Sequence, residues 1–421
     1  MRDGSAFETP LSAEQLRLFQ EIETSHSHFY ITGDAGTGKS VLLKYLKENT
    51  RFSAAVVAPT GMAALAVGGQ TIHSFFGLPL GLINLDTLTL TRHAATVLRK
   101  LDMLIVDEVS MVRADVMDAM DTLLRMARRR DEPFGGVVMI MFGDLSQLPP
   151  VVERALGPYF AEHYGGVYFF DAFVWQDAPL AIRRLTHIFR QSDDYFKMIL
   201  AHIRRGEWIS EIDEALNDRV NRTPPHLGIL TLSPLNERVN QMNDNQMGWL
   251  SGAAQVFPAT VKGTMESTVL PTDSHLVLKV GAQVMMIKND REKRWVNGTV
   301  GVVAALEDNR VWVEIDGNRY EVKPEKWEKM RYGIDPDSGA LTTQVVSEFK
   351  QFPLKLAWAV TIHKAQGITV DQLIIDWGDR LFAHGQGYVA LSRCRTLEGL
   401  FLTRSLRPQD IIVDPRIIQF V

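Results

Sequence analysis

The chain reads as an α/β protein built on doubly wound parallel sheets, with a small all-β module set into its second half. Three observations predict this. Short apolar runs rich in β-branched residues alternate with helix-like segments at the spacing of βα units. A GxxxxGK[ST] segment falls between the first such run and the first such helix. In Arg310–Val322 the pattern changes to strict apolar/polar alternation about Asp316-Gly317, the signature of a hairpin.

Taken in order, FYIT (Phe29–Thr32), AAVVAPT (Ala54–Thr60), MLIVDE (Met103–Glu108), VVMIMFGD (Val137–Asp144) and VYFF (Val167–Phe170) are expected to be strands, each too short and too apolar for an exposed helix. Val41–Asn49 and Asp115–Arg130 are the intervening helices; in the second, Val116, Met120, Leu123, Leu124 and Met126 recur at helical spacing. Residues 1–190 form the first domain, with a small helical or loop insert at about 76–98. A second α/β domain is expected from 191–278 and 350–421, opening with a strand that passes into a helix in Gly228–Asn243. It is completed by LKLAWAVTI, QLIID and GLFLTR after the β module at 279–349.

Composition narrows the function classes. Hydrophobic residues at 46% and charged residues at 23% exclude a disordered or fibrous chain. With 45 Lys plus Arg against 50 Asp plus Glu, no global basic field exists, so a nucleic-acid partner has to be held by a local groove. The single cysteine, Cys394, excludes an internal disulfide and a cysteine-rich metal site, and points to a reducing, cytoplasmic setting. No apolar run approaches the ~18 residues of a membrane span, and the first ten residues carry no secretory pattern.

The chemistry concentrates in Gly33-Asp34-Ala35-Gly36-Thr37-Gly38-Lys39-Ser40. Glycines let successive N–H groups curl round phosphate oxygens at a helix N-terminus, Lys39 reaches the terminal phosphates, and Ser40 can ligate magnesium. Hydrolysis also needs carboxylates at a neighbouring strand end. LIVDEVS supplies Asp107 as the magnesium partner and Glu108 as general base for water. Asp144 and Gln147 follow the next apolar run in GDLSQLPP, where Gln147 can sense the γ-phosphate or its water; a turn stabilised by Asp144 before two prolines is the lesser competing reading. Arg190 and Arg393 are candidates for stabilising charge on the transferred phosphoryl; taken singly, each is more often a surface ion-pair residue.

GDAGTGKS, APTGMAALAVGGQTIHSFFG, IVDEVSM, GDLSQLPPV, IFRQ, TIHKAQGIT and YVALSRCRTLEGL stand in one order over about Leu11 to Leu400. In that order they resemble the Pif-family (RecD-like) 5′-to-3′ DNA helicases of superfamily 1. The resemblance implies two RecA-like domains with ATP and Mg²⁺ between them and a Src-homology-type barrel in the second. It implies that Gln15, by residue type a surface helix residue, reads the adenine edge. Lys39, Ser40, Asp107, Glu108, Gln147, Arg190, Gly367 and Arg393 would surround the phosphates, with Gln366 beside them. In the first domain Pro59, Thr60, His73 and Phe75 would lie on the strand-binding face, with Thr60 and His73 preferred, because Phe75 and Phe76 also suit a core. In the second, Thr361, His363 and Lys364 would touch DNA phosphates, with Ser233, Asn236 and Asn297 as further candidates that simple turn chemistry also explains. The basic run Arg128–Arg130 is accounted for by the helix dipole.

The expected partners are single-stranded and forked or structured DNA, and possible replication or repair proteins, for a protein monomeric on DNA, nucleoid-associated and not membrane-bound. The absence of long terminal extensions suits a bacterial or phage-type core. Two other readings compete: a P-loop phosphotransferase acting on a small acceptor, which leaves TIHKAQG and YVALSR without a role, and a nucleotide-gated clamp without turnover, which the Asp107-Glu108 pair argues against.

Overall fold

The computed structural model describes residues 11–187, 189, 193–220, 222–225, 228–263, 265, 270–307 and 310–420. The chain divides into two compact units. One comprises Met1–Leu145, Pro149–Phe189 and Glu328–Ser347; the other comprises Ser146–Leu148, Arg190–Trp327 and Glu348–Val421.

The first unit is built on strands β1 (His28–Gly33), β2 (Ala54–Ala58), β3 (Gln70–Thr71), β4 (Met103–Val106), β5 (Val138–Phe142) and β6 (Leu180–Leu185), all parallel, in the order β3-β2-β4-β5-β1-β6. Both faces of the central strands are covered, which is why they read as unbroken apolar runs. Helix α1 (Ala13–Thr24) starts at a reciprocal cap between Ser12 and Gln15, and α2 (Lys39–Asn49) starts at Gly38. Leu18, Ile22, Leu42, Leu43 and Leu46 of these helices pack on Phe29, Ile31, Ile140 and Phe142 of the sheet.

One expected strand is absent. Val167–Phe170 makes a single bridge from Tyr168 to Arg113, then a 3₁₀ turn at Phe169–Asp171. Its apolar character comes from packing: Phe169 is buried against Tyr30, with ring centroids 5.3 Å apart. The sixth strand is β6 instead, an edge strand whose half-exposed pattern with Arg183 and Arg184 gives no continuous apolar run.

The helix Ala114–Arg128 forms as its spacing predicts, but its buried face also carries Asp115, Asp118 and Asp121. Each carboxylate accepts from a separate loop. Asp115 takes the Ile83 N–H and pairs with Arg113, Asp118 takes the Phe173 and Val174 N–H groups, and Asp121 takes the Phe134 N–H. The Arg113–Asp115 pair, through the Gly81 carbonyl as well, anchors the insert, which contains a turn at Leu85–Thr87 and a helix at Arg92–Arg99. Arg128 is spent on the carbonyls of Leu101 and Gly135, a structural role.

The other unit has a parallel sheet of β7 (Thr231–Ser233), a two-stranded pair and a ribbon strand β8 (Gln255–Pro258), β9 (Thr260–Lys262) and β10 (His275–Leu278), and a five-stranded antiparallel module. The module uses β11 (Gln283–Met286), β12 (Val300–Glu307), β13 (Arg310–Ile315) and β14 (Asn318–Val322). Then follow the long ribbon strands β15 (Glu325–Ile334) and β16 (Leu341–Gln351), then β17 (Leu354–Leu356), β18 (Ala359–Thr361), β19 (Leu373–Ile375) and β20 (Leu400–Leu402). The module runs in the order β14-β13-β12-β11-β17 and the parallel sheet in the order β18-β7-β19-β20. The hairpin about Asp316-Gly317 forms as the alternation predicts, between β13 and β14.

Two boundaries differ from the sequence expectation. LKLAWAVTI is not one strand of the parallel sheet: β17 pairs antiparallel with β11, and only β18 pairs in parallel with β7. The chain changes sheet at Ala357, whose N–H and carbonyl are both bound by Gln283. The ribbon residues Glu328–Ser347, expected within the inserted module, belong to the first unit. There Tyr332 supplies a hydroxyl to the Val56 N–H at 2.8 Å, which the two-residue strand β3 is too short to reach, and its ring meets Phe75.

Candidate nucleotide and strand-binding sites

In the first unit, β1, β5 and β4 lie side by side, so the loops leaving their C-terminal ends gather on one edge of the sheet. The loop after β1 is set by Gly36 (φ 86) and Gly38 (φ 82) in left-handed conformations. The Thr37 hydroxyl donates to the Asp34 carbonyl at 2.9 Å, and the Lys39 ammonium folds over the loop to the carbonyls of Gly33 (2.6 Å) and Asp34 (3.1 Å). Ala35 is buried, and Ser40 is exposed in the first turn of α2.

Gln15 is buried, not a surface residue. Its amide oxygen accepts from the Ser12 N–H and its amide nitrogen donates to the Gly38 carbonyl at 3.1 Å. A Cβ at position 38 would lie 2.5 Å from that nitrogen and displace the Gln15 amide, adding to the φ that already favours glycine there. Phe189, which the sequence reading passed over in favour of its neighbour Arg190, donates its N–H to the Gly36 carbonyl at 2.9 Å and leaves its ring 59% exposed. An open aromatic face beside a phosphate loop can stack on a base.

Asp107 and Glu108 follow β4. The Glu108 N–H donates to the Asp107 carboxylate at 3.0 Å, and Glu108 itself holds a left-handed backbone conformation (φ 49) that costs a non-glycine residue about 1–3 kcal/mol. Burial pushes the Asp107 carboxyl up to about 6, against the opposing pull of the Glu108 N–H and the charges of Lys39 and Lys44. Lys39 and Asp107 therefore lie within electrostatic reach of each other. Asp144, after β5, is fully buried.

On the same unit, Pro59 and Thr60 follow β2, and the Thr60 hydroxyl caps the helix Gly61–Ala66 through the Ala63 N–H. His73 is half-exposed on the short helix Ile72–Phe76, its pKa lowered by burial and by Arg113 against the pull of Asp115. Phe75, a strand-binding candidate that also suits a core, is buried, edge-on to Phe76 and Tyr332.

In the second unit, Ser233 and Thr361 are paired in register at the ends of β7 and β18, both buried. The Thr361 hydroxyl accepts from the Lys364 N–H, opening a loop that carries half-exposed His363, exposed Lys364, Gln366 and Gly367 (φ 81). Burial lowers the His363 pKa. Asn236 is exposed at the first turn of helix Asn236–Trp249. Asn297 is exposed at the module turn, held by Asn289 Oδ1 on its N–H, and the adjoining Gly298 packs on Ile368. The Ser233 hydroxyl and the Gln366 amide nitrogen are buried without hydrogen-bond partners among the described residues.

Arg393 is buried. Its guanidinium donates to the Val389 carbonyl and the Ser392 hydroxyl and approaches the Ala365 and Ile368 carbonyls at 3.4–3.5 Å, bracing the loop that carries Gly367. Gln147, also buried, belongs to this unit with Ser146 and Leu148. Arg190 lies outside the described residues. Among the described residues no helix is long and apolar enough to cross a membrane, and no cluster of three His, Cys, Asp or Glu side chains could hold a metal by itself.

Together these features define a P-loop nucleotide hydrolase of the class that pairs two parallel-sheet units with an inserted β module. Residues 10–212 match the model of the PIF1-like helicase family, and residues 263–306 match that of the DNA helicase Pif1 2B domain. The ATP-dependent DNA helicase Pif1 of Bdellovibrio bacteriovorus is 33% identical over 98% of this chain and 92% of its own length. The crystal structure of a Bacteroides Pif1 in complex with ADP-AlF4 is 36% identical over 98% of this chain and 96% of its own, with a TM-score of 0.91. That of Bacteroides Pif1 bound to ssDNA is 37% identical with the same coverage and a TM-score of 0.70. The chain belongs to the Pif1-like helicase family.

Proposed function

We propose that this chain is an ATP-dependent DNA helicase that translocates on single-stranded DNA, 5′-to-3′, and unwinds duplex or forked DNA. The observation that carries the reading is the gathering of Lys39 with Asp107 and Glu108 at one edge of a parallel sheet, in a chain of this family. Backbone N–H groups of Gly36–Ser40 cradle the phosphates, Lys39 leaves its loop carbonyls for the β- and γ-phosphates, and Phe189 and Gln15 flank the base. Glu108 takes the proton of the attacking water. The hard oxygen donors Ser40 and Asp107 suit Mg²⁺, which needs few protein ligands when phosphates and water complete its shell; bound there, it would neutralise developing charge on the phosphates.

Gln147, Arg190 and Arg393 are proposed to respond to the γ-phosphate. Arg393 reports through the Gly367 loop that it braces, so nucleotide state and the grip of Thr361, His363 and Lys364 on the strand change together. Pro59, Thr60 and His73 grip the strand in the other unit, with Ser233, Asn236 and Asn297 extending the second grip. ATP that favours one conformation and is then hydrolysed gives alternate gripping a direction. Replication or repair proteins are the proposed partners in a cell.

The decisive experiment is unwinding of matched duplexes carrying either a 5′ or a 3′ single-stranded tail, with ATP and Mg²⁺ present or withheld. ATP-dependent unwinding of the 5′-tailed substrate alone is expected. Unwinding only from the 3′ tail would reverse the polarity, and ATP turnover indifferent to DNA would overturn the helicase reading.

A further inference from the structure

Lys355 lies in the middle of β17, opposite Met285 of β11. Its neighbours Leu354 and Leu356 pack into the core of the β module, so by strand alternation the lysine stem leaves on the opposite face. The residue is half-buried, and its ammonium makes no hydrogen bond or ion pair among the described residues. The charges that act on it are Lys364, which is repulsive, and the exposed Asp273, which attracts it from beyond ion-pair distance; burial and Lys364 together hold its pKa below the ordinary lysine value.

The surroundings tie this lysine to the strand-binding loop. The Gly298 N–H donates to the Met286 carbonyl at 2.8 Å, one residue along β11 from the partner of Lys355. A Cβ on Gly298 would lie 2.6 Å from Cγ2 of Ile368, in the loop that carries Lys364. The exposed turn residue Asn297, Lys355 and Lys364 therefore border one seam, where the β module meets the end of the parallel sheet within the second unit.

Two ammonium groups that repel each other, one of them half out of water and neither with an acceptor among the described residues, are unfavourable as they stand. A polyanion laid along the seam relieves both terms at once, and a phosphodiester backbone supplies charged acceptors whatever the base sequence. We propose that Lys355 is a further phosphate-binding residue of the strand path, acting with Lys364 to grip adjacent phosphodiesters of a single DNA strand at this seam. The proposal rests on the helicase reading above.

The test uses the full chain and an oligothymidine, with affinity measured across a salt series for the unaltered protein, Lys355→Met, which keeps the apolar stem, and Lys355→Arg. Removing one phosphate contact to a single strand should flatten the slope of log K against log salt by about 0.7. Lys355→Met should show that change, bind about five-fold more weakly at moderate salt, and need correspondingly more DNA for half-maximal stimulation of ATP hydrolysis. Lys355→Arg should restore slope and affinity. If Lys355→Met is poorly folded by thermal melting, Lys355→Gln gives the same reading. A slope identical to that of the unaltered chain, in variants that remain folded, overturns the role of Lys355 and leaves the helicase standing. Failure of the unaltered chain to bind single strands overturns both.

Discussion

Gly33–Ser40 and Thr361–Ile368 are both short loops at the C-terminal ends of parallel strands, and each carries a lysine, yet they are held in different ways. The first is set mainly by its own geometry: its glycines fix the backbone and Lys39 donates to carbonyls of the same loop, while Gln15 and Phe189 hold only the Gly38 and Gly36 carbonyls from outside. The second depends on distant chain. Its backbone is braced by Arg393 and wedged by Gly298, and among the described residues Lys364 has no acceptor and the Gln366 amide nitrogen and Ser233 hydroxyl are buried without partners. A loop that is preorganised by local geometry binds one ligand of fixed shape, whereas a seam assembled from three segments can change its grip when any one of them moves. That is the division of labour a motor needs between a nucleotide site and a track.

The largest test of this contrast is Lys39→Ala. If the nucleotide loop is preorganised for phosphate, removing its lysine should lower DNA-stimulated ATP turnover by about 10³-fold or more. Glu108→Gln should lower turnover comparably while fluorescent-nucleotide binding persists, because it removes the base and leaves the cradle. Substantial turnover in either variant, measured by phosphate release, would break the assignment of the loop.

How much of this was legible in the sequence follows the same division. Gly33–Ser40, Asp107 and Glu108 were readable because contiguous motifs carry their chemistry and the strand before each motif fixes its edge. The fold was legible for the same reason wherever a strand is buried on both faces, as at Met103–Val106. It failed at Val167–Phe170, where aromatic packing imitates a strand, and at the half-exposed edge strand Leu180–Leu185. The burial of Asp115, Asp118 and Asp121 has no local signature, since nothing in the helix itself reveals that three remote loops present N–H groups to them. Lys355 was invisible because its significance depends on Lys364 and on a turn at Asn297. Nor could local pattern show that Phe75 is covered by a tyrosine more than 250 positions away.

The next test concerns the foundation of the nucleotide loop. His28 opens β1, accepts the Met139 N–H on Nδ1, and meets Phe134 and Trp175 edge-on; burial lowers its pKa from 6.5 to about 4. Between those values the unfolded chain carries a proton that the folded chain refuses, so the stabilising contribution is full above pH 6.5 and is lost as pH falls towards 4. The loss amounts to about 2 kcal/mol at pH 5. Asp107 acts in the opposite sense over part of the same window, because its raised pKa lets the folded state take up a proton first. The expectation is therefore comparative: His28→Gln, which keeps an acceptor for Met139, should lose about 2 kcal/mol less than the unaltered chain between pH 7 and pH 5 in urea unfolding. Equal losses would show that the imidazole titrates freely.

The smallest effect bears most directly on the seam. Gly298 has φ 96, and an added methyl would stand 2.6 Å from Ile368 Cγ2. Gly298→Ala should cost about 1–2 kcal/mol in backbone strain, and with Ile368 buried and held in its packing the clash is expected to be relieved by moving the Asn297 turn away from the loop or by moving the loop itself. Either movement separates Asn297 from Lys364, and the second also shifts Lys364 from Lys355, without touching Gly33–Ser40. Single-strand affinity should therefore fall several-fold in a variant that still binds nucleotide with unaltered affinity in the absence of DNA. A loss of nucleotide affinity in step with the loss of DNA affinity would mean that the seam and the nucleotide loop are not separately built, and the contrast drawn between them would have to be abandoned.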